Sequence, residues 1–171
     1  MGIVYLIPSL LAEDATLTIP GYVKDAVKSC RLFFVENERT TRRFFKQLWK
    51  EMVIDEYEWF VMSDSSGVSD LFKQKLSEGK NIGIVSEAGC PGVADPGQAL
   101  VAIAQEMGAT VKPLVGPSAI LLALMASGMN GQQFRFLGYL PIDSPQRAKT
   151  IKDLETESFK KNFTQIVIET P

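Results

Sequence analysis

The sequence has no histidine at all. That removes the usual neutral-pH general base, every catalytic triad built on an imidazole, and every metal site that needs one. Cysteine is almost as scarce. Cys30 and Cys90 are far apart and are too few for a disulfide framework or a structural zinc site, which points to a reducing, cytoplasmic setting and to no bound metal. Charge of one sign is also missing: 18 basic and 20 acidic residues leave a net charge of −2, which argues against a polyanion-coating tail. Long hydrophobic runs are absent. The apolar start Ile3-Val4-Tyr5-Leu6-Ile7 breaks at Pro8 and has no basic stretch before it, and Ala119–Ala126 is too short to span a membrane. There is no Gly-x-Gly-x-x-Gly after the first apolar run and no Walker loop, so dinucleotide and nucleoside-triphosphate sites lose their main support.

What is present is a chain of 171 residues, 46% hydrophobic, enough for one large or two small cores. Ile3–Ile7, Leu32–Val35 and Asn81–Val85 are continuous apolar runs, the mark of strands buried on both faces. Met52–Met62 has room for one more short strand, and Thr110–Leu114 reads as a strand or an extended linker. Between them, helical spacing predicts helices over Pro20–Lys28, Thr40–Trp49 and Ser66–Leu76. A fourth starts at Asp95-Pro96, with Asp95 as cap, and stops at Gly108. This order implies an α/β domain with a mainly parallel sheet covered by helices, whose working loops lie at the carboxyl ends of the strands. Those loops are Pro8–Asp14, Glu36–Arg39 and Ser86–Asp95.

After Pro113 the pattern changes. Pro117–Ser127 is apolar nearly all round and is expected to be buried between layers. Phe134–Leu140 and Phe163–Ile168 read as strands, and Ser144 as the cap of a polar helix running to about Thr156. The expected division is residues 1–113 as an amino-terminal α/β domain and 114–171 as the beginning of a second, truncated α/β domain.

Three loops carry candidate chemistry. Ser86-Glu87-Ala88-Gly89-Cys90-Pro91-Gly92 lets a backbone approach a ligand closely, or is only a tight turn. Val115-Gly116-Pro117-Ser118-Ala119 is a second glycine turn, in which Ser118 is a candidate to hydrogen-bond a ligand or only its own helix start. In Glu36-Asn37-Glu38-Arg39, Glu36 suits a hydroxyl and Arg39 a carboxylate or phosphate. With Arg42 and Arg43 the last makes a small basic patch, or a solvated helix face.

These segments, in this order and spacing, resemble the tetrapyrrole methylase superfamily, and within it the 16S ribosomal RNA ribose 2′-O-methyltransferases. The family's Val-Ser-Asp-Ala-Gly-Thr-Pro appears as Val85-Ser86-Glu87-Ala88-Gly89-Cys90-Pro91, and its Asp-Pro-Gly as Asp95-Pro96-Gly97. Its Pro-Gly-Pro-Ser-Ala appears as Val115-Gly116-Pro117-Ser118-Ala119, and its Ala-Ser-Gly as Ala126-Ser127-Gly128. Phe136–Pro141 resembles Phe-x-Gly-Phe-Leu-Pro, and Ile168-Glu169-Thr170-Pro171 resembles Tyr-Glu-Ser-Pro. The resemblance implies a two-domain protein, usually a homodimer, that uses S-adenosyl-L-methionine to methylate ribosomal RNA, with two alternatives left open: a non-catalytic cofactor- or RNA-binding module of the same fold, and a methyltransferase acting on a tetrapyrrole or other small molecule. It implies cofactor contacts at Pro8, Glu87, Ala88, Gly89, Asp95, Ser118, Ala119, Tyr139 and Leu140. Glu36 and Glu87 are the candidates for taking a proton from the acceptor hydroxyl, and Arg39 and Arg42 for holding the substrate. The chain departs from the family in its first loop, where Pro-Thr-Pro-Ile-Gly-Asn becomes Pro8-Ser9-Leu10-Leu11-Ala12-Glu13, in Asn37 for Asp, in Glu87 for Asp, and in lacking the His-Glu-His-Asn segment.

Overall fold

The continuous apolar runs become neighbouring strands of one sheet. In the computed structural model, which describes residues 1–63 and 67–169, the strands are β1 (Ile3–Ile7), β2 (Leu32–Val35), β3 (Glu58–Val61), β4 (Ile82–Val85) and β5 (Thr110–Pro113). Their order is β3-β2-β4-β1-β5, and every pairing is parallel. All residues of β2 and β4 are buried, as their unbroken hydrophobicity requires. Pro113 stands on β5, an edge strand, where a missing N–H leaves no ladder bond unmade.

Alternation along each strand sends side chains to opposite faces, and the helices cover both. Phe33 points into a core with Ile7, Val23, Val27, Phe45 and Val85, beneath α1 (Tyr22–Ser29) and α2 (Glu38–Leu48). Phe34 joins Val4, Phe72, Leu76, Ile84 and Leu100, beneath α3 (Val68–Ser77) and α4 (Gln98–Glu106). Phe33 is the hub of the first core, with ring centroids 4.9 Å from Phe45 and 5.0 Å from Trp59. Cys30 is wholly buried there, and burial pushes its thiol up to about 12.

Helix starts differ from the expected ones for identifiable reasons. α2 begins at Glu38, before Thr40, because Asn37 Oδ1 accepts from the amides of Arg39 (3.0 Å) and Thr40 (3.3 Å). Asp95 does not cap α4. That helix starts at Gln98 from Gly97, whose φ of +111° is left-handed and whose missing side chain lets the backbone pass β4: a Cβ there would lie 2.9 Å from Ile84 Cγ2. The expected helix start at Ser66 lies outside the described residues.

The chain divides into two compact units, Met1–Ser118 and Ala119–Pro171, where the sequence placed the change at 113/114. The second unit holds α5 (Ala119–Ser127), β6 (Phe134–Tyr139), α6 (Ser144–Lys161) and β7 (Thr164–Ile168). β6 and β7 pair in parallel with α6 as the crossover. Asp143, not Ser144, caps α6, accepting from the Gln146 amide at 2.9 Å, and the helix continues past Thr156 to Lys161. The expected burial of α5 is not found: none of its residues is buried, and Leu121, Leu122 and Met125 are exposed. Uniform hydrophobicity states what a helix can bury, and does not supply the layer that covers it. No helix among the described residues is long and apolar enough to cross a membrane, and no cluster of metal-binding side chains occurs among them.

Candidate functional site

Parallel strands deliver their carboxyl-terminal loops to one edge of the sheet, and here those loops are stitched together by specific bonds. Ser9, just past β1, donates its amide to Gly89 O (2.8 Å) and its hydroxyl to Ser86 O (2.7 Å). Glu36, just past β2, donates its amide to Val85 O (3.0 Å), and its carboxylate accepts from the Glu87 amide at 2.7 Å. The turn at residues 86–89 is thus held from both flanks.

The segment after β5 joins the same place. The Val115 amide donates to Tyr22 Oη at 2.7 Å. Gly116 lies flat on Pro8, so close that a Cβ would sit 2.1 Å from the proline's own. Pro117 O accepts the Cys90 thiol at 3.5 Å. Pro8, the Glu87-Ala88-Gly89 turn and the stretch leading to Ser118 therefore converge within the first unit. Gly89 is paired with Ser9 in an antiparallel bridge, and among the described residues the Ala88 amide finds no acceptor. Such an unspent donor on a small-residue turn fits a ligand carrying a carboxylate or hydroxyls, and S-adenosylmethionine carries both. Ala119, Tyr139 and Leu140 belong to the second unit: Ala119 opens α5, Tyr139 ends β6 exposed, and Leu140 lines an apolar pocket there with Ile151 and Val167.

Beside the turn lies a groove of about 270 Å³ between the first loop, α2 and the 86–88 segment. Leu10, Leu11 and Phe44 give it an apolar wall, and Glu13, Arg43 and Glu87 give it charge. Glu87 presents an exposed side chain to it, whereas Glu36 is spent holding the Glu87 amide. Asp95 is half-buried; burial raises its carboxyl above the ordinary range, the charge of Glu36 adds to this, and a hydrogen bond with Ser86 opposes it. Burial, with the charge of Asp95, likewise raises the Cys90 thiol, which keeps it protonated rather than nucleophilic.

Of the expected substrate-holding arginines, neither lines the groove. Arg39 is exposed at the start of α2. Arg42 binds Glu38 at 2.6 Å and lies over the Trp59 ring at 5.3 Å. Arg43 faces the groove, on the same side of α2 as Thr40, Phe44 and Gln47. That spacing of three and four residues is a helix face, and it was a usable signal in the sequence.

The fold that carries this site is that of the tetrapyrrole methylases. A solved structure of uroporphyrin-III-C-methyltransferase from Thermus thermophilus superposes with a TM-score of 0.55 at 14% identity, over 82% of this chain and 64% of that one. Within that class, the chain is homologous at moderate identity to ribosomal RNA small subunit methyltransferase I. It is 34% identical to the Bacillus subtilis protein over 167 residues, 98% of this chain and 54% of that protein. It is 31% identical to the Vibrio cholerae protein, over 99% of this chain and 56% of that one. Identity with the Escherichia coli O157:H7 protein reaches 45% over 83 residues, 48% of this chain and 29% of that protein. The chain thus spans about half the length of these curated relatives, and no family model matches it.

Proposed function

We propose that this chain forms the cofactor- and substrate-binding part of a methyltransferase that uses S-adenosylmethionine, the cofactor of its fold family, to methylate a ribose 2′-hydroxyl of ribosomal RNA. The observation that carries the reading is the convergence of the Pro8, Ala88-Gly89 and Gly116–Ser118 segments beside a groove with a free carboxylate. In this reading the Ala88 amide and Ser118 hold the cofactor in the first unit, on a turn that Gly89 fixes to Ser9. When bound, the cofactor supplies a methyl group already attached to a cationic sulfur leaving group.

The protein then needs little acid–base machinery, which suits a chain without histidine. Its task is alignment, worth roughly 7–11 kcal/mol in well-oriented systems. Glu87, exposed on the groove, accepts the hydroxyl proton as the oxygen takes the methyl group. Glu36 keeps the turn in place, and Asp95 supports it through Ser86. The active species is a cytoplasmic homodimer.

The test is isothermal titration with S-adenosylmethionine, followed by transfer of labelled methyl to small-subunit RNA, with sedimentation to fix the oligomer. Binding and transfer are expected; a folded protein that leaves the cofactor unbound rejects the reading. A second reading, binding without transfer, is favoured by the occupation of Glu36 by the Glu87 amide. It predicts cofactor binding with no labelled RNA.

A further inference from the structure

Two of the three residues that charge the groove, Glu13 and Arg43, come from segments 30 positions apart, and each is new relative to the family pattern or outside it. Glu13 stands where the resembling family has the asparagine of its first loop. Arg43 follows the Glu36–Arg39 motif on α2. They meet at 3.5 Å, with side chains 57% exposed for Arg43 and 92% for Glu13. So long and exposed a pair contributes little to stability and is readily exchanged for a better partner.

The surroundings leave Arg43 as the groove's available cation. Its neighbour Arg42 is tied to Glu38 and Trp59. Lys46 donates to the carbonyl of Met52 at 2.9 Å. The groove hydroxyls are also committed: Ser9 to Ser86 O, and Thr40 and Thr41 both to Asn37 O. An entering ligand therefore meets the apolar side chains of Leu10, Leu11 and Phe44 together with the Arg43 guanidinium fork. A flat apolar body carrying an anion matches that pairing, and a guanidinium meets a phosphate with two parallel N–H bonds.

We infer that Arg43 is a phosphate-binding residue for the RNA strand that enters this groove, and that Glu13 is its counter-charge, holding the guanidinium in place when no strand is bound and lowering affinity by competing for it. This deepens the methyltransferase reading and rests on it for the identity of the strand. It has a physical readout of its own, because neutralising one phosphate contact changes the salt dependence of binding.

The experiment measures binding of a fluorescent single-stranded hexaribonucleotide to the full chain between 50 and 200 mM salt, for wild type, Arg43→Gln, Arg43→Lys and Glu13→Gln. Arg43→Gln should weaken binding about tenfold at low salt and reduce the slope of log K against log salt by about 0.7, the value for one single-strand phosphate contact. Arg43→Lys should keep the slope while losing part of the affinity, and Glu13→Gln should bind more tightly than wild type. An unchanged slope in Arg43→Gln, or no binding of the hexamer by wild type, overturns the inference. S-adenosylmethionine titrated against the same proteins reads out the methyltransferase proposal separately. If the cofactor fails to bind while the Arg43 slope effect holds, the phosphate site stands and the catalytic reading falls.

Discussion

The two units of this chain use the same kinds of residue to opposite effect. In Met1–Ser118, apolar runs sit in the middle of a five-stranded sheet with helices on both faces, and the buried side chains form two continuous cores. In the second unit the most uniformly apolar helix, α5, has no buried residue, and the buried hydrophobic side chains of the described chain all lie at or before Ala109. Burial follows from what packs around a residue, so hydrophobicity stabilises the first unit and contributes little to the second.

That contrast can be broken or sharpened by substitution. The largest effect belongs to Phe33, fully buried at the centre of the aromatic cluster: Phe33→Ala should cost about 3–5 kcal/mol in urea denaturation. Next is Gly116→Ala, whose Cβ has no room against Pro8; it should displace the 115–118 segment and weaken S-adenosylmethionine binding about tenfold or more in a titration. Glu36→Gln keeps an acceptor but loses the charge, and should cost under about 1.5 kcal/mol while speeding hydrogen exchange at the Glu87 amide.

Asp95 offers a smaller effect with a definite sign. Its folded-state pKa is raised by burial and then by Glu36, so its contribution to stability is present below the ordinary carboxylate range and is lost as pH rises through the raised value. Asp95→Asn should therefore melt slightly above wild type at neutral pH, with the difference closing in acid; a lower melting temperature at neutral pH contradicts the assignment. The smallest effect is expected in the second unit. Met125→Lys, on an exposed turn of α5, should change stability by no more than about 0.5 kcal/mol, and a loss well beyond that shows that α5 is covered in solution.

The parts of the fold legible in the sequence are those where one physical requirement dominates. β1 and β2 occupy the expected residues, and β4 begins one residue later, because a strand buried on both faces has to be apolar at every position. The loops of the candidate site were legible for a related reason, since parallel order alone sends Pro8, Glu36 and Ser86 to one edge. Less legible was anything decided by competition between neighbours. Asp95-Pro96 has the composition of a helix start, yet the close passage of Gly97 over Ile84 sets the start two residues later. Asp143 and Ser144 are both good caps, and the backbone chose the first. Glu36 and Arg42 looked available for substrate because their partners, the Glu87 amide and the Glu38–Trp59 pair, are assigned only once the chain is folded.

The strand order carries one more consequence. β1 and β2 are joined by a single helix, yet they are not neighbours: the slot between them belongs to β4, made 46 residues after β2 ends. A nascent polypeptide emerging from the ribosome cannot zip its first two strands together. It must hold them apart, or leave them unformed, until residues 82–85 arrive as the keystone. Assembly of the first unit is therefore gated by late, long-range closure, and protection of the β1 and β2 amides should appear in the same kinetic step as that of β4.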